Sequence, residues 1–205
     1  MNAINGEIVN MVPKVVEFIR ANGAGMVNGN QASGMPGAFS AGGDLKFMLD
    51  LAKRGDFQGI NNFIADVHAG MKMTKYAPFP VVAAPYGMAL GGGCEVCLWA
   101  DKIVAHNELY MALVEVGAGL VPAGGGCYQM WRRLSETVVT PADWLSVFLQ
   151  AFQTIAMPMP TGSAQEARAK GFLRPQDRIV FNKDYLIGEA KKEVLRMAED
   201  GLAEV

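Results

Sequence analysis

Between Phe79 and Ala100 an otherwise apolar run is interrupted by Pro80, Pro85, Gly87, Gly91, Gly92, Gly93 and one carboxylate, Glu95. Few folds accommodate that pattern. Pro80-Val81-Val82-Ala83-Ala84-Pro85 reads as a strand buried on both faces and bounded by residues that cannot donate to a ladder. The glycines after it read as a turn, Gly92 to Ala100 as a helix, and Lys102 to Ala105 as the next strand. A strand, turn, helix, strand unit of this kind belongs to an α/β architecture. The interruptions also separate the run from a membrane span, which needs ~20 uninterrupted apolar residues.

The flanking segments fit the same architecture. From Asn5 to Asn22, apolar residues recur at Ile8, Met11, Val12, Val15, Val16 and Ile19, the spacing of an amphipathic helix that Pro13 should kink and Gly23 should end. A short strand is expected near Ala24 to Val27, then a surface loop of Gly, Asn, Ser and Pro as far as Phe39. Helices are expected from about Asp44 to Gly55, with Asp44 a favourable first-turn acid, and from Phe57 to Lys75, with Ile60, Phe63, Ile64, Val67 and Met71 as its inner stripe. Further helices are expected at Gly125 to Leu134, Ala142 to Ala156, Ser163 to Lys170 and Asp184 to Asp200. Ser163-Ala164-Gln165-Glu166 forms a capping box, and Asn182 can cap the last helix. The division is an α/β core over residues 1–140 and a helical C-terminal part over 141–205.

Composition narrows the function classes. Hydrophobic residues make up 51% and charged residues 19% of 205, enough for a substantial core and inconsistent with a disordered chain. Basic and acidic residues number 18 and 20, without a basic run, so the electrostatic footprint of a nucleic-acid binder is absent. Three cysteines and no signal peptide fit a soluble protein of a reducing cytoplasm. Cys94-Glu95-Val96-Cys97 spells C-x-x-C but lies inside the glycine-helix motif, so both thiols are read as core residues. His68 and His106 lack partners at metal-ligand spacing, and no metal site is expected. Most of the 13 methionines are read as core filler, and some as lining for an adaptable pocket.

Two carboxylates in apolar, glycine-lined settings, Glu95 and Glu115, point to proton transfer. Desolvation disfavours a carboxylate's charge and moves it toward the range where it exchanges protons near neutrality. A glycine triplet entering a helix also presents backbone N–H groups at the positive end of the dipole, where an oxyanion can be held. Gly92 is the best candidate donor. A second glycine turn, Phe39-Ser40-Ala41-Gly42-Gly43-Asp44-Leu45, runs into another helix and could supply a second donor to the same oxygen. Taken alone, each feature has a structural reading: a tight turn packing a helix, or a carboxylate reaching solvent.

Together, Pro80 to Glu95, Val114-Glu115-Val116-Gly117 with Pro122 and its trailing glycines, and Phe39 to Leu45 resemble the enoyl-CoA hydratase (crotonase) superfamily in order and spacing. The twenty-residue separation of the two glutamates is that of the hydratases. The resemblance implies a crotonase (ClpP-like) fold of repeated ββα-type units. It assigns the peptide N–H groups of Gly43 and Gly92 to an oxyanion hole for a thioester carbonyl. Glu95 would activate the water and Glu115 deliver the proton to the α-carbon. Ala41, Gly43, Asp44, Leu45, Lys46 and Gly92 would contact the acyl-CoA, with coenzyme A as part of the substrate and no separate cofactor. An enoyl-CoA isomerase or thioester hydrolase of this fold typically needs only one glutamate. An acyl-CoA-binding or assembly module without turnover remains a second reading. The serine peptidases of this architecture find no Ser and His in matching places.

Val114 to Pro122 and the helical segment around Ala142 to Ala156 look most like the crotonase domain fused to 3-hydroxyacyl-CoA dehydrogenases of fatty-acid β-oxidation. No G-x-G-x-x-G follows a strand, so the dinucleotide-binding half of such a fusion is expected outside this chain. Family members usually begin with strands ahead of the Asn2-Ala3 segment, so an edge of the sheet and part of the CoA contact are also expected outside it. Gly126-Cys127-Tyr128 stands where stand-alone hydratases commonly have Thr-Gln-Arg. A homo-oligomer, a trimer or dimer of trimers, is implied by the same resemblance.

Overall fold

The computed structural model describes residues 2–30 and 37–201. The chain climbs in ββα-type steps, and each step gives one strand to each of two parallel sheets. Strands β2 (Met26–Gly29) and β3 (Ala38–Ser40) form the first pair, with β4 (Gly42–Gly43) leading into helices α2 (Leu45–Lys53) and α3 (Phe57–Lys75). The second step is β5 (Val81–Ala84), β6 (Gly87–Leu90) and α4 (Gly92–Trp99). The third is β7 (Lys102–His106), β8 (Leu109–Ala112), a 3-10 turn at Glu115–Ala118 and α5 (Gly126–Ser135). One sheet has the order β2-β5-β7-β9, where β9 is Arg178–Val180, and the other the order β3-β6-β8. Ahead of them, β1 (Ala3–Ile4) pairs with β4, and α1 (Gly6–Asn22) packs on α3. Helices α6 (Asp143–Ala156), α7 (Ala164–Ala169) and α8 (Lys183–Glu199) complete the described chain.

Strand alternation divides the core in two. Val81, Ala83, Ile103 and Ala105 face the main core with α4, while Val82, Ala84 and Val104 face Leu186, Ala190, Val194 and Met197 of α8. The four-stranded sheet is therefore buried on both faces, as its apolar strands require. Helix starts follow the expected cap chemistry. Asn5, Asp56 and Asn182 each accept a backbone N–H of the first turn. Asp44 does the same as the N-cap of α2, one position before the helix that it was expected to join. Glu166 accepts the Gly162 N–H, while Ser163 accepts that of Glu166.

Several expectations need correction. The strand expected near Ala24 to Val27 lies two residues later, at Met26–Gly29. The loop expected to run to Phe39 becomes strand at Ala38, with Ala38 and Phe39 buried; residues 31–36 of that loop lie outside the described residues. The glycine turn after Pro85 contains a strand, β6, whose Gly-Met-Ala-Leu sequence has little strand propensity of its own and is held by β3 and β8 on either side. Strands β8 and β9 were not anticipated. Glu115 opens a 3-10 turn where a loop was expected, whereas α1 contains Pro13 and ends at Gly23 as expected.

A buried ion pair joins the third step to the sheet. Arg133 of α5 donates to the carbonyls of Leu98 at 2.8 Å and Phe172 at 3.1 Å, with one guanidinium nitrogen 3.6 Å from Asp177. Asp177 in turn accepts the backbone N–H groups of Ile103 at 2.8 Å and Arg174 at 2.6 Å. Removing one partner strands a charge in the core, which typically costs about 3 to 5 kcal/mol. Asp177→Ala should therefore lower the unfolding free energy by that order in urea denaturation; a midpoint within error of the native chain would show the pair to be dispensable.

Candidate active site

The site forms where α4 begins, between the two sheets. Gly91, with φ of 52°, turns β6 into the helix, and its N–H is held by the Ala112 carbonyl of β8 at 2.9 Å. As the first residue of α4, Gly92 has an N–H with no intrahelical acceptor, and the Gly91 cap supplies no side-chain bond. The nitrogen of Gly43 comes to the same place: it lies 3.5 Å from where a Cβ on Gly92 would stand. A Cβ on Gly42 would in turn lie 3.3 Å from the Gly92 nitrogen. The two peptide groups are thus neighbours across the β4–α4 contact.

Glu95 projects from the first turn of α4 and is 3% exposed. Its Oε1 accepts the Gly126 N–H at 2.7 Å, and the Gly124 peptide also hydrogen-bonds to it. The fit leaves no room for side chains: a Cβ on Gly124 would fall 2.3 Å from Glu95 Oε2. Burial pushes the Glu95 carboxyl up from the ordinary carboxylate range to about 7, and the charge of Glu115 pushes the same way, against the two peptide bonds.

Glu115 stands across the Gly91 turn. A Cβ on Gly91 would lie 3.1 Å from its Oε1, and its Oε2 is buried without a hydrogen-bond partner among the described residues. Burial raises its pKa as well. An orphaned buried carboxyl oxygen is costly as an anion and comfortable as an O–H. Two carboxyls in each other's field, one held by peptide donors and one without, can share a proton near neutrality.

The structure therefore brings Glu95, Glu115, Gly43 and Gly92 together. It treats the rest of the 41–46 segment differently. Ala41 is half-buried and its N–H goes to Asn2, while Asp44 spends its carboxylate capping α2 at Phe47. Leu45, at 55% exposure, and Lys46 lie at the surface. Cys94 and Cys97 are fully buried, and burial raises both thiol pKa values, so they are core residues. His106 is satisfied internally, accepting the Glu108 N–H and meeting the Phe181 carbonyl. Among the described residues no group of three or more His, Cys, Asp or Glu could hold a metal ion, and no helix is long and apolar enough to cross a membrane. The contribution of Gly124 and Gly126 was not anticipated. Their glycines were visible in the sequence, but nothing there indicated that these peptides would face Glu95.

The family described as "Enoyl-CoA hydratase/isomerase" matches residues 1–143. A Bacillus subtilis protein described as "Probable 3-hydroxyacyl-CoA dehydrogenase" is 37% identical over 98% of this chain and 24% of its own length. A Rhizobium meliloti "Probable enoyl-CoA hydratase" is 31% identical over 66% of this chain and 50% of its own. The chain thus spans only a quarter to a half of these relatives. Among solved structures, an enoyl-CoA hydratase from Bacillus anthracis superposes with a TM-score of 0.72 at 22% identity, covering 98% of this chain and 67% of that one. One from Polaromonas sp. JS666 gives 0.71 at 24% identity, covering 97% and 68%. These likenesses establish the crotonase fold, and with the family match over most of its length the chain belongs to the enoyl-CoA hydratase/isomerase family.

Proposed function

We propose that this chain is an enoyl-CoA hydratase unit that adds water across the 2,3 double bond of an acyl-CoA thioester, a lyase of fatty-acid β-oxidation. The observation that carries the reading is the pair of carboxyls, Glu95 buried and Glu115 half-buried with one buried oxygen, beside the Gly43 and Gly92 peptides. Hydration needs two preorganised donors for the enolate oxygen, one group to take a proton from water and another to give one to carbon. Glu95, held by peptide N–H groups, suits the acceptor. Glu115, with an unpartnered buried oxygen, suits the donor. In the forward step the water oxygen bonds to the β-carbon as its proton passes to Glu95. Glu115 protonates the α-carbon, and the Gly43 and Gly92 N–H groups hold the thioester oxygen. Transfer of the proton from Glu95 back to Glu115 resets the pair. An isomerase moves one proton and could use a single carboxyl; two in mutual field favour the hydratase.

The segment Ala41 to Lys46, exposed at Leu45 and Lys46, would receive the CoA portion, and coenzyme A is the only cofactor-like group in this scheme. The length of the Bacillus subtilis relative supports a unit that works as part of a longer protein with a 3-hydroxyacyl-CoA dehydrogenase half. A cytoplasmic homo-oligomer is consistent with the exposed Leu145, Phe148, Leu149 and Phe152 of α6.

The test is hydration of crotonoyl-CoA, followed by loss of the enoyl-thioester absorbance. The native chain should turn over, and Glu95→Gln and Glu115→Gln should each lose about 10²- to 10⁴-fold in kcat. Binding of the acyl-CoA without turnover by the native chain would instead favour a binding module.

The raised Glu95 pKa also has a folding signature. The native state holds this proton more tightly than the unfolded chain does, so the stability it confers is present below about 4.5 and lost as pH rises toward about 7. At 1.36 kcal/mol per pH unit the loss is about 3 kcal/mol at most. Glu95→Gln carries no such charge, so its unfolding free energy relative to the native chain should climb across this window. A difference that stays flat from pH 4 to 8 would mean that Glu95 titrates normally.

A further inference from the structure

We propose that Trp99 is a positioning residue for Glu95, acting through the Gly124–Gly126 turn; the inference rests on Glu95 being the proton acceptor of the proposed hydration. Trp99 lies four residues after Glu95, on the same side of α4, and is 4% exposed. Its indole Nε1 donates to the Gly124 carbonyl at 2.7 Å. The ring lies directly against Gly125, whose φ is +103° and whose Cβ, if it had one, would fall 2.7 Å from both Nε1 and Cζ2. The next peptide, Gly126, is the one whose N–H reaches Glu95 Oε1 at 2.7 Å. Helix, indole, turn and carboxylate thus form a closed ring of contacts that begins and ends on α4.

Three successive glycines have more conformational freedom to lose than any other tripeptide. Nothing in their own side chains holds Gly124 to Gly126 in the orientation that aims two N–H groups at Glu95. The indole does so from the carbonyl side. Its own place is fixed from two further elements: the His68 ring of α3 meets its plane edge-on at 5.8 Å between centroids, and the Tyr128 ring of α5 lies at 6.2 Å. Other titratable groups around Glu95 are Glu115 from the 3-10 turn, Cys94 on α4 and Cys127 on α5, with His68 and Lys72 behind the indole.

Trp99→Phe keeps a ring and deletes the only donor. With the turn released, Glu95 loses bonds that favour its charged form, so its midpoint should rise by about 0.5 to 1 pH unit. The measurement is a carboxyl ¹³C NMR titration of the native chain and Trp99→Phe, with the Glu95 signal identified by its loss in Glu95→Gln. In crotonoyl-CoA hydration the acidic limb of kcat should move by the same amount. That corresponds to a fall of about three- to tenfold at pH 6, with KM held. An unmoved Glu95 midpoint, or a kcat loss equal at every pH, would overturn the proposal. If the Phe variant fails to fold, benzothienylalanine at position 99 keeps the indole's shape without its N–H and carries the same expectation. If the native chain does not hydrate crotonoyl-CoA, the hydratase reading fails, and the NMR midpoint still decides whether Trp99 sets the state of Glu95.

Discussion

The burial of α4 between two parallel sheets governs the rest of the molecule. Cys94, Cys97, Leu98 and Trp99 are removed from water, and Glu95, on the same helix, has to go in with them. A carboxylate carried into such a place by an apolar helix must be neutralised, hydrogen-bonded or both. The molecule provides peptide donors from Gly124 and Gly126 and a second carboxyl, Glu115, which makes one shared proton more favourable than two charges. The proposed chemistry is therefore a consequence of packing: the wedge that organises the core also dehydrates the acid.

The ββα repetition places the other half of the site. Each step sends one strand to each of the two larger sheets, and β4, which follows β3 directly and pairs with β1, meets the start of α4 together with the end of β6. Gly43 and Gly92 are brought side by side although 49 residues separate them. A helix start in the middle of a core would ordinarily need a capping side chain, and Gly91 offers none. The unfilled donor is available to a ligand, and the missing Cβ atoms on both loops leave the space for one.

Local chemistry was legible wherever it was self-contained. Ser163 and Asn182 start helices because a short polar side chain can take a first-turn N–H, and the Phe57–Lys75 helix follows from its stripe. The double-sided strand Val81–Ala84 was legible from its apolar content and flanking prolines. The misses share one cause. Strand β6, Gly-Met-Ala-Leu, and the short β8 and β9 are strands only because neighbours pair with them, so no local signal marks them. The Arg133–Asp177 pair and the Trp99–Gly124 bond span 44 and 25 residues and link groups that have no reason to meet until the sheets are in place. Glu95 and Glu115 stood out because their surroundings in sequence are as apolar as their surroundings in space. The peptides facing them did not, since a backbone N–H leaves no trace in a sequence beyond the glycine that exposes it.

The two ends of α4 show which electrostatic effect wins. Glu95 occupies the first turn, where the helix dipole favours a negative charge by about 0.3 to 1 kcal/mol and up to about 2 when partly buried. Two peptide N–H groups add to that preference. Acting alone, these would hold the carboxyl below the ordinary range, yet it lies near 7, so desolvation with the charge of Glu115 outweighs all of them together by about 3 kcal/mol. At the far end the balance is reversed: Arg133 donates to the Leu98 carbonyl, and its guanidinium is offset by Asp177. A cation is accepted where the dipole is negative because a full counter-charge accompanies it. Among the described residues no counter-ion accompanies Glu95, and a proton takes its place. An acid that retained a fixed counter-charge would be a structural ion pair; one neutralised by a proton can give that proton up and take another from water.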